Sequence, residues 1–293
     1  MSWKNLHQAL GLPTEVHEPS GRLRIDAPVG KEIQRSLLAL AASNILAAPV
    51  DASSSEAQEQ TATWIYRHID DANVLALQGI PEGEETRGLK FDVTSIPPLS
   101  EVTAMTPEFP KTIGHFHTRL PGSAYASPDY YQIACGSGLL ILQEASTTST
   151  QVYYSVVGAG DVFLIPPWLG HVTVNIGDGP LVFSNVCVRA PHLDYKAFTN
   201  LRGAAYYAVS SGTDSEPFRL VENPSYAKSN VSVARPVVVR SNSDVLIALG
   251  IDVARPIYNS LVDGADVLDA LQCPDNHLES FRAAIVSDIS RAQ

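Results

Sequence analysis

The segment K-T-I-G-H-F-H-T-R-L, residues 111–120, places His115 and His117 one residue apart in a chain with eight histidines. Side chains at positions i and i+2 of a β-strand point to the same face of the sheet. Both imidazoles would therefore face the same way, and neutral imidazole nitrogens are good ligands for divalent transition metals. The pair alone also fits ordinary surface histidines, so a metal site would need further ligands.

The elements around this pair are predicted to be short β-strands. From about residue 62 to 190, runs rich in Val, Ile, Thr, Tyr and Phe alternate with Gly, Pro and Asp clusters, a pattern typical of an all-β sandwich or barrel. Residues 31–48 contain helix formers and apolar positions at helical spacing, which predicts a helix. The polar residues 51–60 fit either a loop or the start of another helix.

The last part of the chain is predicted to be helical, on the segments S-D-V-L-I-A-L-G-I-D and H-L-E-S-F-R-A-A-I-V-S-D-I-S-R-A. We therefore expect a mainly β protein with three parts: a helical N-terminal extension over residues 1–60, a β-barrel domain over 61–226 and a C-terminal helical extension over 227–293. Each extension is too short for a secure core of its own.

Composition excludes several classes of protein. The 293 residues are 45% hydrophobic and 17% charged, as in a globular chain, and the net charge of −11 makes nucleic acid a poor partner. Three cysteines form no disulfide framework. No apolar run approaches the roughly 18 residues of a membrane span, and the N-terminus does not resemble a signal peptide. We expect a soluble cytoplasmic protein with no membrane partner.

Two further segments extend the histidine pair into a recognisable signature. Six residues separate Asp129 from the first glycine of G-S-G in S-P-D-Y-Y-Q-I-A-C-G-S-G. In G-D-V-F-L-I-P-P-W-L-G-H-V-T-V-N, a glycine and a proline lead to His171 and Asn175. This resembles the two-part cupin signature. Together with L-K-F-D-V-T-S-I-P-P and V-E-N-P-S-Y, it is similar to the cupin-type phosphoglucose isomerases best known from archaea, over about residues 60 to 226.

The resemblance implies a single cupin barrel, a double-stranded β-helix or jelly roll, and a metal bound inside it. Its ligands would be His115, His117, His171 and Asp129, and such a donor set suits iron, manganese, nickel or zinc alike. Asp129, where the family has a glutamate, would also be the candidate catalytic base. Asp129 after Pro128 also fits a simple turn residue.

The resemblance also implies substrate contacts and a partner. The substrate phosphate would be held by Thr94, Lys111, Thr112 and Gly114, and Tyr195 would contact the substrate. Tyr131 and His192 would take part in catalysis, although His192 aligns with the family only approximately. Both threonines equally fit ordinary strand residues. Cys135 and Cys187 are expected to be inert core thiols. The partner would be a small sugar phosphate, and the chain a homodimer.

The implied reaction is a metal-dependent aldose–ketose isomerisation, most simply of glucose 6-phosphate to fructose 6-phosphate. Two departures from the family leave other functions open: the aspartate in place of glutamate, and a longer loop between His117 and Asp129. One alternative is a cupin oxygenase or isomerase that uses a two-histidine, one-carboxylate centre on an unphosphorylated metabolite. Another is a non-catalytic sugar-binding cupin.

Overall fold

The computed structural model describes residues 2–285 apart from residues 52, 106, 146, 190–191, 214–215, 241–242 and 263–268. Its strands are β1 (Trp3–Asn5), β2 (Thr14–His17), β3 (Leu23–Ile25), β4 (Val29–Ser36), β5 (Thr61–Ile69), β6 (Leu89–Ile96), β7 (Phe116–His117), β8 (Asp129–Cys135), β9 (Ser137–Glu144), β10 (Ser149–Thr150), β11 (Val152–Gly158), β12 (Val162–Ile165), β13 (Leu169–Asn175), β14 (Leu181–Val188), β15 (Leu193–Asp194), β16 (Tyr206–Ser210), β17 (Phe218–Glu222), β18 (Ser232–Val233) and β19 (Val237–Val238).

The helices are short. The α-helices are α1 (His7–Leu10), α2 (Leu37–Ala42), α3 (Ser55–Glu59), α4 (Asp71–Leu77), α5 (Lys196–Thr199), α6 (Pro224–Lys228), α7 (Ser243–Ala248), α8 (Ile257–Val262), α9 (Asp269–Gln272) and α10 (Leu278–Ala283). Single 3₁₀ turns span Glu85–Arg87, Leu99–Glu101, Thr103–Met105 and Pro274–Asn276. Among the helices described, none combines the length and the apolar character that crossing a bilayer requires. The prediction of a mainly β protein is confirmed.

Two sheets form the body of the protein. The larger has six strands in the order β12-β8-β14-β6-β5-β4, and the smaller has four in the order β13-β9-β11-β19. Side chains from the facing sides of both sheets share one hydrophobic cluster, with Ile133 and Phe183 from the larger sheet and Leu140 and Leu142 from the smaller. The core therefore lies between two sheets, as the alternation of short apolar runs and turns predicts.

The central strands of the larger sheet are buried on both faces. In β8, Tyr131 and Ile133 join the cluster between the sheets, while Tyr130 joins a second cluster on the opposite face. That second cluster includes Leu246 of α7 and Phe281 of α10. The C-terminal helices therefore cover the outer face of the sheet, which explains why every residue of β8 and all but one of β14 are buried.

The prediction of a helix over residues 31–48 is wrong for its first part, and with it the description of residues 1–60 as helical. Residues Val29–Ser36 form β4, which pairs antiparallel with β5 and sets Ile33 opposite Ile65. The helix begins only at Leu37, where the Ser36 hydroxyl accepts the Ala39 N–H at 3.2 Å and caps it. The edge of β5 supplies hydrogen-bond partners that a helix through this segment would leave unpaired.

The remaining helical predictions are met in part. Helix α3 occupies the polar stretch 51–60, with the Ser54 hydroxyl accepting the Ala57 N–H at its start. Helices α7 and α10 lie in the two C-terminal segments that predicted them. The last residues of the second segment, from 286 onward, lie outside the described residues. The boundaries at residues 60 and 226 stay predictions.

Candidate metal centre

The inner face of the larger sheet is unusually polar where β6, β14 and β8 lie side by side. Their register sets Asp92 opposite Asn185 and Asn185 opposite Tyr131, and it sets Lys90 opposite Cys187. Alternate residues of these strands share a face, so charged and polar side chains line one end of the space between the sheets. They bound a small cavity of about 50 Å³.

The histidines reach this cavity from the opposite side. His115 forms an isolated antiparallel bridge with His171 of β13, in which each main-chain N–H donates to the other carbonyl, at 3.3 and 3.1 Å. The ring centroids of His115 and His171 are 4.4 Å apart, those of His115 and His117 are 5.2 Å apart, and those of His117 and His171 are 5.7 Å apart. The expected convergence of the H-x-H pair with the late histidine is thus present.

Asp129 completes the cluster from the first position of β8. Its Oδ2 lies 3.7 Å from His117 Nε2 and 3.9 Å from His171 Nε2. The Asn185 amide donates to Oδ1 at 3.1 Å and to Oδ2 at 3.3 Å, which fixes the rotation of the carboxylate. Asp129 follows the extended loop, and its side chain, which is shorter than the family's glutamate, points at the histidines.

These groups fit a divalent transition metal. His171 Nε2, which faces Asp129, is buried without a hydrogen-bond partner among the described residues, as expected of a metal ligand. His117 Nδ1 lies 2.8 Å from the Ser127 carbonyl, which leaves Nε2 toward the cluster. Atoms that share one ion at about 2.1 Å are at most about 4.2 Å apart, and both distances to Asp129 fall within this limit.

The electrostatics of the histidines agree with this role. Burial lowers the pKa of His117 to about 4 and the pKa of His171 to about 3, and it lowers the pKa of His115 well below its usual value. The three rings are therefore neutral near pH 7 and offer lone pairs. Burial raises the pKa of Asp129 well above its usual value, partly opposed by the Asn185 hydrogen bond; a nearby divalent cation would restore the carboxylate.

Cys187 also lies in this cavity, where sequence reasoning expects only a core thiol. His117, Asp129 and Cys187 offer ligand atoms that all lie within 4.8 Å of one another. Burial raises the pKa of Cys187 as it raises that of Asp129, and a bound metal would favour the deprotonated form of both groups. The nitrogens of His115, His117 and His171 also lie within 4.8 Å of one another and need no deprotonation.

Gly114 holds the backbone turn that leads into the pair of histidines. Its φ of +82° is in the left-handed region, and an added Cβ would lie 2.5 Å from Val172 Cγ2 and 3.0 Å from Phe198 Cδ1. No side chain fits there, because Phe198 is fully buried in the cluster behind the turn. The glycine of the signature therefore serves the close approach of the turn to β13.

We expect Gly114→Ala to lower the free energy of unfolding of the metal-free protein by about 2–4 kcal/mol, since backbone strain and overpacking add. Chemical denaturation followed by circular dichroism measures this loss. Gly122→Ala is the matched control, because Gly122 has a φ of +78° and open space around its Cβ position; strain alone should cost about 1 kcal/mol there. Equal losses in the two variants would contradict the steric explanation.

Several other predicted site residues line the cavity: Thr94, Thr112, Tyr131 and Tyr195. The Thr112 hydroxyl accepts the Thr173 N–H at 3.0 Å and keeps its own hydrogen available for donation. Tyr131 stacks on Phe183 at 4.8 Å and meets the edge of His171 at 5.6 Å. Burial and the neighbouring Asp129 raise the pKa of Tyr131 well above its usual value, so its hydroxyl is a hydrogen-bond donor.

The structure does not bring Lys111 and His192 to the cavity. The Lys111 ammonium is buried against Glu108, donates to the Ile45 carbonyl at 2.8 Å and lies over the Tyr207 ring. It is therefore committed to packing the chain around residue 45 and is no phosphate contact. The exposed His192 joins the segment after His117 through its main chain, donating its N–H to the Thr118 hydroxyl at 3.0 Å.

Sequence reasoning missed the charged residues of the cavity, which are Arg35, Arg67, Lys90 and Asp92. Lys90 Nζ lies 2.8 Å from Asp92 Oδ2, and Asp92 also accepts the His68 N–H at 2.9 Å. Charged and apolar residues alternate in K-F-D-V-T, residues 90–94. In a strand, that alternation predicts a polar face, and it is the signal that could have revealed the pair.

The loop between His117 and Asp129 is braced by the C-terminal region. Ser123 donates its hydroxyl to Asp275, and the Ala124 N–H donates to the same carboxylate at 3.3 Å. Trp168 packs against Tyr125 of this loop at 6.3 Å and against Phe281 at 6.4 Å. The bulky residue near His171 is thus a link between the loop and α10.

Comparison with known proteins identifies a family. Residues 52–223, more than half of the chain, match the family described as Glucose-6-phosphate isomerase (GPI). The glucose-6-phosphate isomerase of Pyrococcus furiosus is 26% identical over 159 residues, which are 54% of this chain and 76% of that protein. The enzyme of Thermococcus kodakarensis is 28% identical over 159 residues, which are 53% of this chain and 74% of that protein.

The similar solved structures share less of their length with this chain than the two enzymes do. A structure of oxalate oxidase in complex with the substrate analogue glycolate is 17% identical, with a TM-score of 0.33 over 52% of this chain and 61% of that chain. The family match includes His115, His117, Asp129 and His171, whereas β4 and the C-terminal helices lie outside it. The chain belongs to the glucose-6-phosphate isomerase family, in its cupin-type form.

Proposed function

We propose that this protein is a metal-dependent aldose–ketose isomerase of a phosphorylated sugar, most simply of glucose 6-phosphate and fructose 6-phosphate. The observation that supports it is the convergence of His115, His117, His171 and Asp129 in a chain that belongs to this family. When bound there, a divalent metal would act as a Lewis acid on the sugar oxygens and favour the negative charge that develops on them.

Asp129 is the proposed base. Its carboxylate would take a proton from the hydroxyl-bearing carbon next to the carbonyl and return it to the former carbonyl carbon, while the hydroxyl proton passes to the former carbonyl oxygen, so that the atoms balance. Asn185 donates to both of its oxygens, which orients the carboxylate toward the cavity. The side chain of Tyr131 lines the cavity, and its hydroxyl would orient a substrate hydroxyl. Thr94, Thr112, Gly114 and Tyr195 are the proposed neighbours of the phosphate.

An anaerobic assay of the metal-loaded protein tests the proposal. We expect glucose 6-phosphate to be converted to fructose 6-phosphate without dioxygen, at a rate that follows the metal content of the same sample. A screen of other sugar phosphates under the same conditions covers the wider substrate class. Dioxygen consumption with an unphosphorylated metabolite would contradict the isomerase and support an oxygenase. Binding of sugars without turnover, at full metal content, would support a binding protein.

A further inference from the structure

The cavity carries more positive charge than its described carboxylates balance. Arg35, Arg67 and Lys90 line it, and Lys90 is paired with Asp92. Asp129 faces the histidines on the other side. Resting on the proposed function, we propose that Arg35 and Arg67 bind the substrate's phosphate group and make the enzyme specific for phosphorylated sugars.

Arg67 is a cation without a counter-ion in the described part of the chain. It lies on β5 two residues beyond Ile65, which pairs with Thr94, so Arg67 and Thr94 project from the same face of the sheet. Its Nε is buried and has no hydrogen-bond partner, and no described carboxylate lies within ion-pair distance of its guanidinium. Arg67 is half-buried, and burying part of a guanidinium without a partner is costly, so this position favours an anionic ligand.

Arg35 approaches the cavity from the neighbouring strand. Its Nη2 donates to the Tyr195 hydroxyl at 3.2 Å, and its guanidinium lies 5.6 Å from the centre of that ring. The Tyr195 ring is in turn 5.6 Å from the His115 ring, so the contact holds Arg35 on the side of the metal ligands. The other guanidinium donors of Arg35 have no carboxylate partner among the residues described.

The two arginines flank one polar side chain. The register places Ile33, Ile65 and Thr94 in one row across β4, β5 and β6. Arg67 lies one row to one side of Thr94 on the same face, and Arg35 lies one row to the other side. All three side chains line the same cavity, so two guanidinium groups and a hydroxyl face one space.

Phosphate is the anion that fits this arrangement. A phosphate monoester carries about −1.5 to −2 charges at pH 7, which two unpaired guanidinium groups balance. The planar fork of arginine matches phosphate oxygens with two parallel hydrogen bonds. Arg35 lies before residue 52, where the family match begins, so this contact comes from a segment that the match does not include.

Calorimetric titration of the metal-loaded protein with inorganic phosphate, together with KM for glucose 6-phosphate, tests the assignment. We expect Arg35→Gln and Arg67→Gln each to weaken phosphate binding and to raise KM by about 10-fold or more, as for the loss of a charge-assisted hydrogen bond. Arg67→Lys, which keeps the charge and loses the fork, should show a smaller loss. Arg119→Gln removes a charge from the exposed loop after His117 and should leave both values within about twofold of wild type.

Unchanged phosphate affinity and KM in a folded Arg35→Gln, Arg67→Gln double variant would overturn the assignment, and so would phosphate held by the metal alone, because that binding ignores both arginines. If Arg67→Gln fails to fold, Arg35→Gln and Arg67→Lys decide the question. Arginine-dependent phosphate binding without turnover of any sugar phosphate would uphold this inference and reject the isomerase. Turnover of a sugar phosphate with unchanged KM in the variants would uphold the isomerase and reject this inference.

Discussion

His171→Ala is expected to reduce bound metal from about one ion per chain to less than about 0.1, and to lower isomerase turnover by about 10³-fold or more. His171 is 2% exposed, and its Nε2 has no hydrogen-bond partner among the described residues. Loss of an outer-shell partner already costs 10–100-fold in metal affinity, so loss of a direct ligand should cost at least about 100-fold. The lost Lewis acid is worth several kcal/mol, and each 1.36 kcal/mol is tenfold in rate.

Metal analysis of dialysed protein and steady-state kinetics measure the effects of His171→Ala. The free energy of unfolding of the metal-free variant should lie within about 2 kcal/mol of that of wild type, because the change removes an unpaired buried nitrogen along with ring contacts. His7→Ala is the control, since His7 is exposed on α1 and far from the cluster in the chain. Full metal content in folded His171→Ala would remove His171 from the ligand set.

Asp129→Asn should separate chemistry from binding. The amide keeps an oxygen that can face His117 and His171, so metal content should stay near wild type. It cannot accept a proton, so turnover should fall by about 10²–10⁴-fold while KM changes by less than about threefold. In deuterated water, the wild-type enzyme should exchange the substrate C–H with solvent and the variant should not.

The control for this substitution is Asp178→Asn, because Asp178 is an exposed residue of the turn that follows β13. It should match wild type in metal content, turnover and solvent exchange. Loss of metal and activity in parallel in Asp129→Asn would make Asp129 a ligand only. Wild-type turnover without exchange would point to a hydride shift, in which Asp129 takes no proton.

The ligand cluster was predictable because its evidence is local. His115 and His117 are two residues apart, and Asp129 and His171 sit in motifs whose spacing to Gly and Pro can be read along the sequence. The structure adds how they converge: the histidine pair is held by a two-residue strand and a single bridge to His171, rather than by a long strand. His115 and His117 still point to the same side, because the bridge gives the backbone β-like geometry there.

The cationic side of the cavity was not predictable in the same way. Arg35 and Arg67 are 32 positions apart in the sequence, and each resembles the exposed arginine that is common on protein surfaces. They meet only because β4 pairs with β5 and β5 with β6, which is a matter of sheet order. Sequence reasoning therefore expected a phosphate site built from Thr94, Thr112 and Gly114, with Lys111 as its cation.

The error in predicting a helix from residue 31, where the structure has a strand up to Ser36, has a related cause. The apolar residues of the segment 31–48 fit helical spacing, yet Ile33 and Ile65 also face each other across paired strands. A short run cannot distinguish these periods, and the free edge of β5 decides between them. That mistake concealed Arg35, since a strand is what carries its side chain to the cavity.

The brace between the Asp129 loop and the end of the chain bears on how the site matures during synthesis. A ribosome delivers His115, Asp129 and His171 well before Asp275 and Phe281, which hold the loop through Ser123 and Trp168. The four candidate ligands can therefore come together before the C-terminal helices fix the loop in place.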